Sequence, residues 1–249
     1  MFPKVKHLPI QGHQILLTDL LELHIIVSVN NRKRLVWEMR YNDFKNRFSK
    51  FPVISTEHIF DISSSPQVLR NQFTTWKKKG LILRLRKGLY ILNEGDRKIH
   101  PSRVFLANQI YSPSYVSCEY ALGYYHLIPE RVEDVTSVTT KKTAEFLNSF
   151  GLFRYRHLKL PIFFGFRRIQ DENGFPFLIA EPEKAILDFL YLNLYQFRGE
   201  TPDVFEHSYR FQNTSRLKKG KLRETAKVYQ NNKFSRVVTQ FIRFLESGG

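Results

Sequence analysis

The chain has 249 residues, of which 42% are hydrophobic and 14% aromatic. This length suits one large or two ordinary domains, and the composition excludes a chain that is disordered throughout. The formal net charge of +16 indicates an anionic partner. Nucleic acid is the leading class, and an acidic protein or an anionic membrane surface are the alternatives. The single cysteine, Cys118, excludes an intrachain disulfide and a cysteine-rich zinc site, and it fits a reducing, cytoplasmic location.

The positive charge is concentrated in one part of the chain. Residues 39–100 contain 13 Lys and Arg against 5 Asp and Glu, a net +8. Residues 1–38 contribute +2 and residues 101–249 contribute +6. Half of the charge therefore lies in a quarter of the chain, which is the electrostatic footprint expected of a DNA-binding module.

The first 38 residues differ from the rest. Their apolar run, Ile15–Val29, is interrupted by Asp19 and Glu22, so it is too short and too polar for a membrane span. No small-residue cleavage site follows, which argues against a signal peptide. From Met39 onward the sequence resembles the natural beginning of a domain. We expect residues 1–38 to be an N-terminal extension and native translation to start at Met39. A genuine helical arm is the alternative.

Two short helices are predicted at the beginning of the basic segment. Phe44 and Phe48 share one face of a helix over Tyr41–Phe48, and Pro52 ends that helix. A second helix is predicted over roughly Thr56–Ile62, followed by a turn of three serines. Two short helices joined by a turn to a longer third helix are typical of the helix-turn-helix unit.

The third helix is the strongest local signal. Pro66 suits its first position, because the missing N–H has no helical partner there. Leu69, Phe73 and Trp76 recur on one face, and Gly80 after three lysines marks the end. The residues pointing away from this face are of types that read bases or bind phosphate: Gln67, Arg70, Asn71, Thr74 and Lys78.

A basic hairpin is predicted directly after this helix. An alternating strand places Arg84 and Arg86 on one side and leucines on the other. Lys87 and Gly88 form a turn, and Leu89–Leu92 is the returning strand. A helix followed by a basic hairpin is typical of the recognition helix and wing of a winged helix-turn-helix. The alternative is an ordinary amphipathic helix with a solvated face beside a surface hairpin.

These patterns predict a DNA interface within residues 39–95. The third helix would enter the major groove, and the wing would contact phosphate or the minor groove. Two further lysines would neutralise phosphate. The predicted DNA-binding residues are Gln67, Arg70, Asn71, Thr74, Lys77, Lys78, Lys79, Arg84, Arg86 and Lys87.

A polar linker from Asn93 to Pro101 separates this segment from a second domain, residues 101–249. Helices are predicted at Ser102–Ile110, Glu119–Leu127, from Pro182 onward, and in the tail at Leu217–Tyr229 and Phe234–Leu245. Strands are predicted at Val135–Thr140, Phe153–Leu158, Pro161–Ile169 and Phe175–Ile179, the last two flanking an Asn-Gly hairpin signal. The expected fold class is α+β: an N-terminal winged helix-turn-helix, then a mixed α/β domain with a mostly antiparallel sheet and C-terminal helices.

A second basic surface is predicted on the sheet of this domain. Its residues are Lys141, Lys142, Arg154, Arg156 and Lys159. A shared face would form a positive strip for DNA or an acidic partner, whereas a solvated sheet face is the ordinary alternative.

No catalytic motif is present. The sequence lacks the phosphate-binding, zinc-protease and serine-hydrolase signatures, and its histidines are scattered. A restriction-type nuclease would need a strand-borne Asp followed by Glu-x-Lys, but Asp171 lies near a hairpin turn and Glu183 directly precedes Lys184. We therefore expect no enzyme activity, no catalytic or metal-binding residues and no cofactor. A nucleic-acid-processing enzyme remains the less favoured alternative.

Four motifs occur in a recognisable order. They are LILRLRKGLY at Leu81–Tyr90, YVSCEYAL with LIPE at Tyr115–Leu122 and Leu127–Glu130, VTSVTT at Val135–Thr140, and AEPEKAILD at Ala180–Asp188. Their order resembles the AbiEi family of antitoxins from type IV toxin–antitoxin systems of abortive infection, a form of phage defence. The resemblance covers roughly residues 40–245.

The resemblance implies a two-domain transcriptional repressor. Its winged helix would bind inverted repeats in double-stranded operator DNA upstream of its own operon. Its C-terminal domain would counter a nucleotidyltransferase toxin encoded beside it, and direct binding of that toxin is not required in the family. The alternative is a stand-alone winged-helix regulator whose second domain senses a ligand or oligomerises. The identity of the neighbouring gene discriminates between the two.

Overall fold

The computed structural model describes residues 39–60, 66–197 and 204–247. All of them belong to one unit, residues 36–249. The predicted N-terminal extension, residues 1–38, lies outside the described residues, so its expected absence from the native chain and the alternative of a helical arm stay predictions. The last two residues of the predicted second helix also lie outside them.

The first segment, residues 39–95, contains three helices and a three-stranded antiparallel sheet in its described part. Its elements are α1 (Tyr41–Phe48), β1 (Ile54–Ser55), α2 (Thr56–Phe60), α3 (Pro66–Lys78), β2 (Ile82–Arg86) and β3 (Leu89–Leu92). The sheet order is β1-β3-β2. The predicted bounds of α1 are confirmed, and so are α3 and the hairpin. Strand β1 was missed, because two residues show no periodicity and the strand exists only through its pairing with β3.

A small aromatic core holds α1, α3 and the sheet together. Leu69, Phe73 and Trp76, the predicted apolar face of α3, are at most 7% exposed. The Phe44 ring of α1 packs against Phe73 and Trp76, with ring centroids 5.3 and 4.8 Å apart. Gly80 adopts a φ of +69°, which favours glycine over residues with a Cβ, and its N–H donates to the Lys77 carbonyl. The helix therefore ends where the sequence predicts.

The hairpin contributes buried side chains to two cores. Ile82 and Leu92 belong to the small aromatic core, whereas Leu85, Leu89 and Ile91 belong to the larger core of the second segment. Alternation along a strand sends successive side chains to opposite faces. The three-stranded sheet is therefore a layer shared by two cores.

The predicted linker, residues 93–101, contains no helix or strand, but it is fixed to α1. The Tyr41 hydroxyl donates to the Asp96 carboxylate at 2.7 Å, and the Lys45 ammonium group lies 3.1 Å from the same carboxylate. The hydrogen bond from Tyr41, helped by Lys45, lowers the pKa of Asp96 despite partial burial.

The second segment, residues 101–249, contains six strands and five α-helices in its described part. They are α4 (Arg103–Ile110), β4 (Ser114–Val116), α5 (Cys118–Tyr124), β5 (Val135–Thr139), β6 (Ala144–Asn148), β7 (Gly151–His157), β8 (Phe166–Gln170), β9 (Pro176–Ala180), α6 (Pro182–Leu192), α7 (Lys219–Lys227) and α8 (Asn232–Glu246). The Ser102 hydroxyl caps α4 by accepting from the Phe105 N–H at 3.2 Å. Strands β4 and β6 were missed, and β8 begins at Phe166 because residues 160–162 form a 3-10 turn.

The six strands form one mixed sheet in the order β6-β7-β5-β4-β9-β8. Three of its five strand pairs are antiparallel (β6–β7, β5–β4 and β9–β8), and two are parallel (β7–β5 and β4–β9). The prediction of a mostly antiparallel sheet is therefore confirmed in part: antiparallel pairs are the majority, but the sheet is mixed. One of the two parallel pairs involves the missed strand β4, and the other joins two strands that the sequence predicts, β5 and β7.

Helices cover both faces of this sheet. The Tyr155 hydroxyl of β7 donates to the Ala107 carbonyl of α4 at 2.6 Å, whereas the Tyr115 hydroxyl of β4 reaches Asp188 of α6 on the other face. Helices α7 and α8 pack against α6. Cys118 is fully buried. Among the described helices, none combines the length and the hydrophobicity of a membrane span.

Candidate nucleic-acid interface and buried polar cluster

Helix α3 presents its polar side to solvent. Its apolar residues face the small core, so the residues between them point outward. The lysine after the helix, one arginine within β2 and the lysine of the hairpin turn are exposed as well. We call this set the basic face: Gln67, Arg70, Asn71, Thr74, Lys77, Lys78, Lys79, Arg84 and Lys87.

The basic face contains no carboxylate. Residues 66–92 include seven Lys and Arg and no Asp or Glu. All of these cations except Arg86 are exposed. A surface with charge of one sign creates a local potential that attracts polyanions, and its strength depends on the salt concentration.

Several polar groups on α3 are oriented by bonds along the helix. The Gln67 amide donates to the Asn71 side-chain oxygen at 3.2 Å. The Thr74 hydroxyl donates to the Arg70 carbonyl at 2.9 Å. Since its hydrogen is used within the helix, Thr74 offers a ligand an acceptor oxygen and a methyl group.

Arg84 and Arg86 do not share a face, contrary to the prediction from strict alternation. A β-bulge between them shifts the register of β2 against β3. Arg84 remains exposed, whereas Arg86 is half-buried. The Arg86 Nε donates to the Ile110 carbonyl at 2.6 Å, and its Nη1 donates to the Lys87 carbonyl at 2.7 Å. A bulge adds one residue to a strand and re-aims the side chain that follows.

The two arginines of the predicted second basic surface have partners within the chain. Arg154 forms ion pairs with Asp134 at 2.7 Å and Glu145 at 3.3 Å. Arg156 donates to the Asn193 side-chain oxygen at 2.9 Å and to the carbonyl of Leu192, where α6 ends. Both guanidinium groups therefore serve contacts within the second segment. The remaining members of the predicted strip are exposed lysines: Lys141, Lys142 and Lys159.

A cleft of about 600 Å³ lies beside these two arginines. Asp134, Glu145 and Asn193 contribute to its lining. Its volume falls within the usual range for small-molecule sites, about 300–1,000 Å³. No sequence pattern predicted this cleft, because the residues that line it come from separate strands, from the loop before β5 and from the end of α6.

A cluster of buried polar side chains lies between the sheet and α6. Asp188 is its centre and is 0% exposed. One carboxylate oxygen accepts from the Tyr115 hydroxyl at 2.9 Å and the Ser117 hydroxyl at 2.8 Å. The other contacts the Lys184 ammonium group and accepts from the Tyr229 hydroxyl at 3.0 Å. We call these five residues the Asp188 cluster.

The hydrogen bonding of the Asp188 cluster is consistent with neutral phenols around one ion pair. Burial raises the pKa of both Tyr115 and Tyr229, and the nearby Asp188 carboxylate raises them further. Lys184 also donates to the Tyr229 hydroxyl at 2.8 Å. The cluster therefore connects β4, α6 and the segment after α7 through one carboxylate. No sequence pattern indicated the three hydroxyl partners of Asp188.

The carboxylates considered for a nuclease have local partners. Asp171 accepts from the N–H groups of Asn173 and Phe175, closing the hairpin turn. Glu183 accepts from the Lys218 N–H at 3.0 Å and lies 3.2 Å from the Lys221 ammonium group. Within the described ranges, no group of three or more His, Cys, Asp or Glu side chains is arranged to hold a metal ion.

Comparisons with protein-family models and with curated proteins give no match for this chain. The function must therefore be inferred from its residues and their arrangement.

Proposed function

We propose that this chain is an antitoxin of the AbiEi type, which binds operator DNA and represses its own operon. In this proposal, residues 39–95 form a winged helix-turn-helix. The second segment counters a nucleotidyltransferase toxin encoded by the neighbouring gene. The observation that carries the DNA-binding part is the basic face, whose exposed side chains come from a stretch, residues 66–92, that contains seven Lys and Arg and no Asp or Glu.

The order of elements supports the winged-helix assignment. Helix α2 precedes α3 by a short connection, and the β2–β3 hairpin follows α3 directly. In a winged helix-turn-helix, the helix in the position of α3 lies in the major groove, and the hairpin forms the wing. The major groove is about 12 Å wide and accepts one α-helix. The exposed polar face of α3 can enter such a groove, since the apolar face is already buried in the protein.

The side chains divide into two roles. Arg70 and Asn71 are of the types that pair with guanine and adenine edges, so they would read bases. Lys77, Lys78 and Lys79 lie at the other end of α3 and would neutralise phosphates, as would Lys87 on the wing. The first group would determine sequence preference and the second would supply affinity.

The antitoxin part of the proposal rests on the four motifs of the family resemblance. Three residues of the last motif, Glu183, Lys184 and Asp188, are at most 5% exposed. They would therefore preserve the fold of the second segment, and the surface that acts against the toxin would lie elsewhere on it.

Footprinting tests the DNA-binding part. The full chain should protect inverted repeats in the DNA upstream of its gene, and alanine at Arg70 and Asn71 should abolish that protection. Protection unchanged by both substitutions would contradict the role of α3. Co-expression tests the antitoxin part: cells producing the neighbouring nucleotidyltransferase should grow only when this chain is also produced.

The cleft beside Arg154 and Arg156 supports a second candidate, a stand-alone regulator whose second segment senses a small ligand. Its volume of about 600 Å³ is large enough for a metabolite. Absence of a toxic neighbouring gene, together with repression that responds to a metabolite, would favour this candidate over the antitoxin.

A further inference from the structure

The turn of the hairpin is bonded to elements on both sides of it. The Gly88 carbonyl accepts from the Thr56 N–H at 2.9 Å and from its hydroxyl at 3.3 Å, which connects the turn to the start of α2. The carbonyl of Leu85, next to the last residue of β2, accepts from the Asn148 side-chain amide at 3.1 Å, which connects this end of the strand to the end of β6. The tip is thus held by the first segment and by the second.

Arg86 adds a further connection, which orients the tip of the hairpin. Its Nε bonds to the carbonyl of Ile110, the last residue of α4, while its Nη1 bonds to the carbonyl of Lys87 in the turn. A helix exposes its unpaired carbonyls at this end, and a cation is favoured there. The planar guanidinium group donates in two fixed directions at once, which an ammonium group on a flexible chain does not.

The exposed cations of the wing flank this bonded residue. Arg84 and Lys87 are both exposed, on either side of the half-buried Arg86. Their positions relative to α3 depend on where the hairpin turn is held. A shift of α4 or β6 would therefore change the distance between the wing cations and α3, and with it their fit to successive phosphates.

We infer that Arg86 is a positioning residue, which orients the wing from α4 and so couples the second segment to DNA binding. This role replaces the direct DNA contact that the sequence predicts for Arg86. It rests on the proposed function in one respect, since DNA affinity is its functional output. The coupling would let an event on the second segment alter operator affinity without touching the basic face.

Arg86→Lys is the decisive variant, because it keeps the positive charge and removes the planar group that donates two hydrogen bonds in fixed directions. A positioning role predicts that the full chain carrying Arg86→Lys binds the duplex upstream of its gene roughly two- to thirtyfold more weakly. Arg86→Ala should weaken binding by a similar factor. A direct phosphate contact predicts that lysine substitutes well. Arg210→Lys is the matched control, since Arg210 is an exposed arginine paired with Glu130 on the second segment.

Hydrogen exchange of the free protein provides a readout that does not involve DNA. Amides of the hairpin turn, residues 87–89, should exchange faster in Arg86→Lys and Arg86→Ala than in wild type or Arg210→Lys, while the overall unfolding transition stays in place. Wild-type affinity for Arg86→Lys, or unchanged exchange in the turn, would overturn the inference. If the wild-type chain bound no duplex at all, the proposed function would fail, and the exchange data would still decide whether Arg86 holds the turn.

Discussion

Lys184 and Asp188 lie one helical turn apart on α6, and their charged groups meet where both side chains are at most 1% exposed. The surrounding hydroxyls of Tyr115, Ser117 and Tyr229 complete the hydrogen bonding of the carboxylate. A buried pair of this kind stabilises a fold only while both partners remain, because either charge alone would be left without compensation.

Removing the cation of this pair should be strongly destabilising. Lys184→Met keeps most of the side-chain volume and leaves Asp188 without a countercharge, so we expect a loss of about 3–5 kcal/mol in the free energy of unfolding, measured in urea. Lys227→Met is the matched control: Lys227 pairs with Glu224 one turn away, with both side chains 71% exposed. The control should lose no more than about 0.5 kcal/mol. Equal losses in the two variants would contradict the account of the Asp188 cluster.

The ion pair and the backbone hydrogen bond of Glu183 predict a specific loss of stability in acid. Burial by itself would raise the pKa of Glu183, but the Lys218 N–H and the Lys221 ammonium group outweigh it and lower the pKa below the ordinary 4.5. A carboxyl whose pKa is lowered by folding stabilises the fold above its unfolded value, and that contribution is lost as the pH falls through the folded value.

Glu183→Gln isolates this contribution. The difference in unfolding free energy between wild type and Glu183→Gln should be constant above about pH 4.5 and should shrink below it. Glu224→Gln, at an exposed site, serves as the control and should show little difference from wild type. A Glu183→Gln difference that stayed the same well below pH 4.5 would show that the carboxylate is not stabilised by folding.

The hairpin shared by two cores predicts that both segments unfold together. Trp76 lies in the small aromatic core, so its fluorescence reports on the first segment. In a Trp37→Phe background, Trp76 is the only tryptophan. The urea transition followed by Trp76 fluorescence should coincide with the transition followed by far-ultraviolet circular dichroism, as in two-state unfolding. An earlier fluorescence transition would mean that the first segment unfolds independently.

Substitutions of base-reading residues and of phosphate-binding residues should have different effects on DNA binding. Asn71→Ala should cost about 1–3 kcal/mol of affinity for the operator and relax discrimination at one base pair. Lys87→Ala should lower affinity for all duplexes to a similar extent. Binding measured on the operator and on single-base variants distinguishes the two effects. Retention of full sequence discrimination by Asn71→Ala would remove Asn71 from the base-reading set.

Local patterns in the sequence predicted the long elements well. Helices α1, α3 and α6 have apolar residues at helical spacing, with proline or glycine at their ends, and these signals lie within a few residues of each other. The turn between β8 and β9 follows from Asn173-Gly174, and Gly174 adopts the expected positive φ of +79°. Such features need no knowledge of the rest of the chain.

The features that were missed depend on distant pairing. Strands β1 and β4 are two and three residues long, too short to show a period. The bulge that separates Arg84 from Arg86 arises from the register of β2 on β3. In the Asp188 cluster, Tyr115, Ser117 and Tyr229 lie 73, 71 and 41 residues from Asp188. A single sequence shows each of these residues, but it does not show that they lie close together in the fold.

The salt dependence of DNA binding tests the central claim that the basic face holds the phosphate backbone. The full chain should bind duplex DNA with an affinity that falls linearly, on logarithmic axes, as salt increases. Alanine at Lys77, Lys78 and Lys79 should reduce that slope by up to about 0.9 for each phosphate that is no longer neutralised. Alanine at three exposed lysines of the tail, Lys218, Lys227 and Lys233, should leave the slope unchanged. Equal slopes for wild type and the α3 triple variant would contradict the proposal that this face binds DNA.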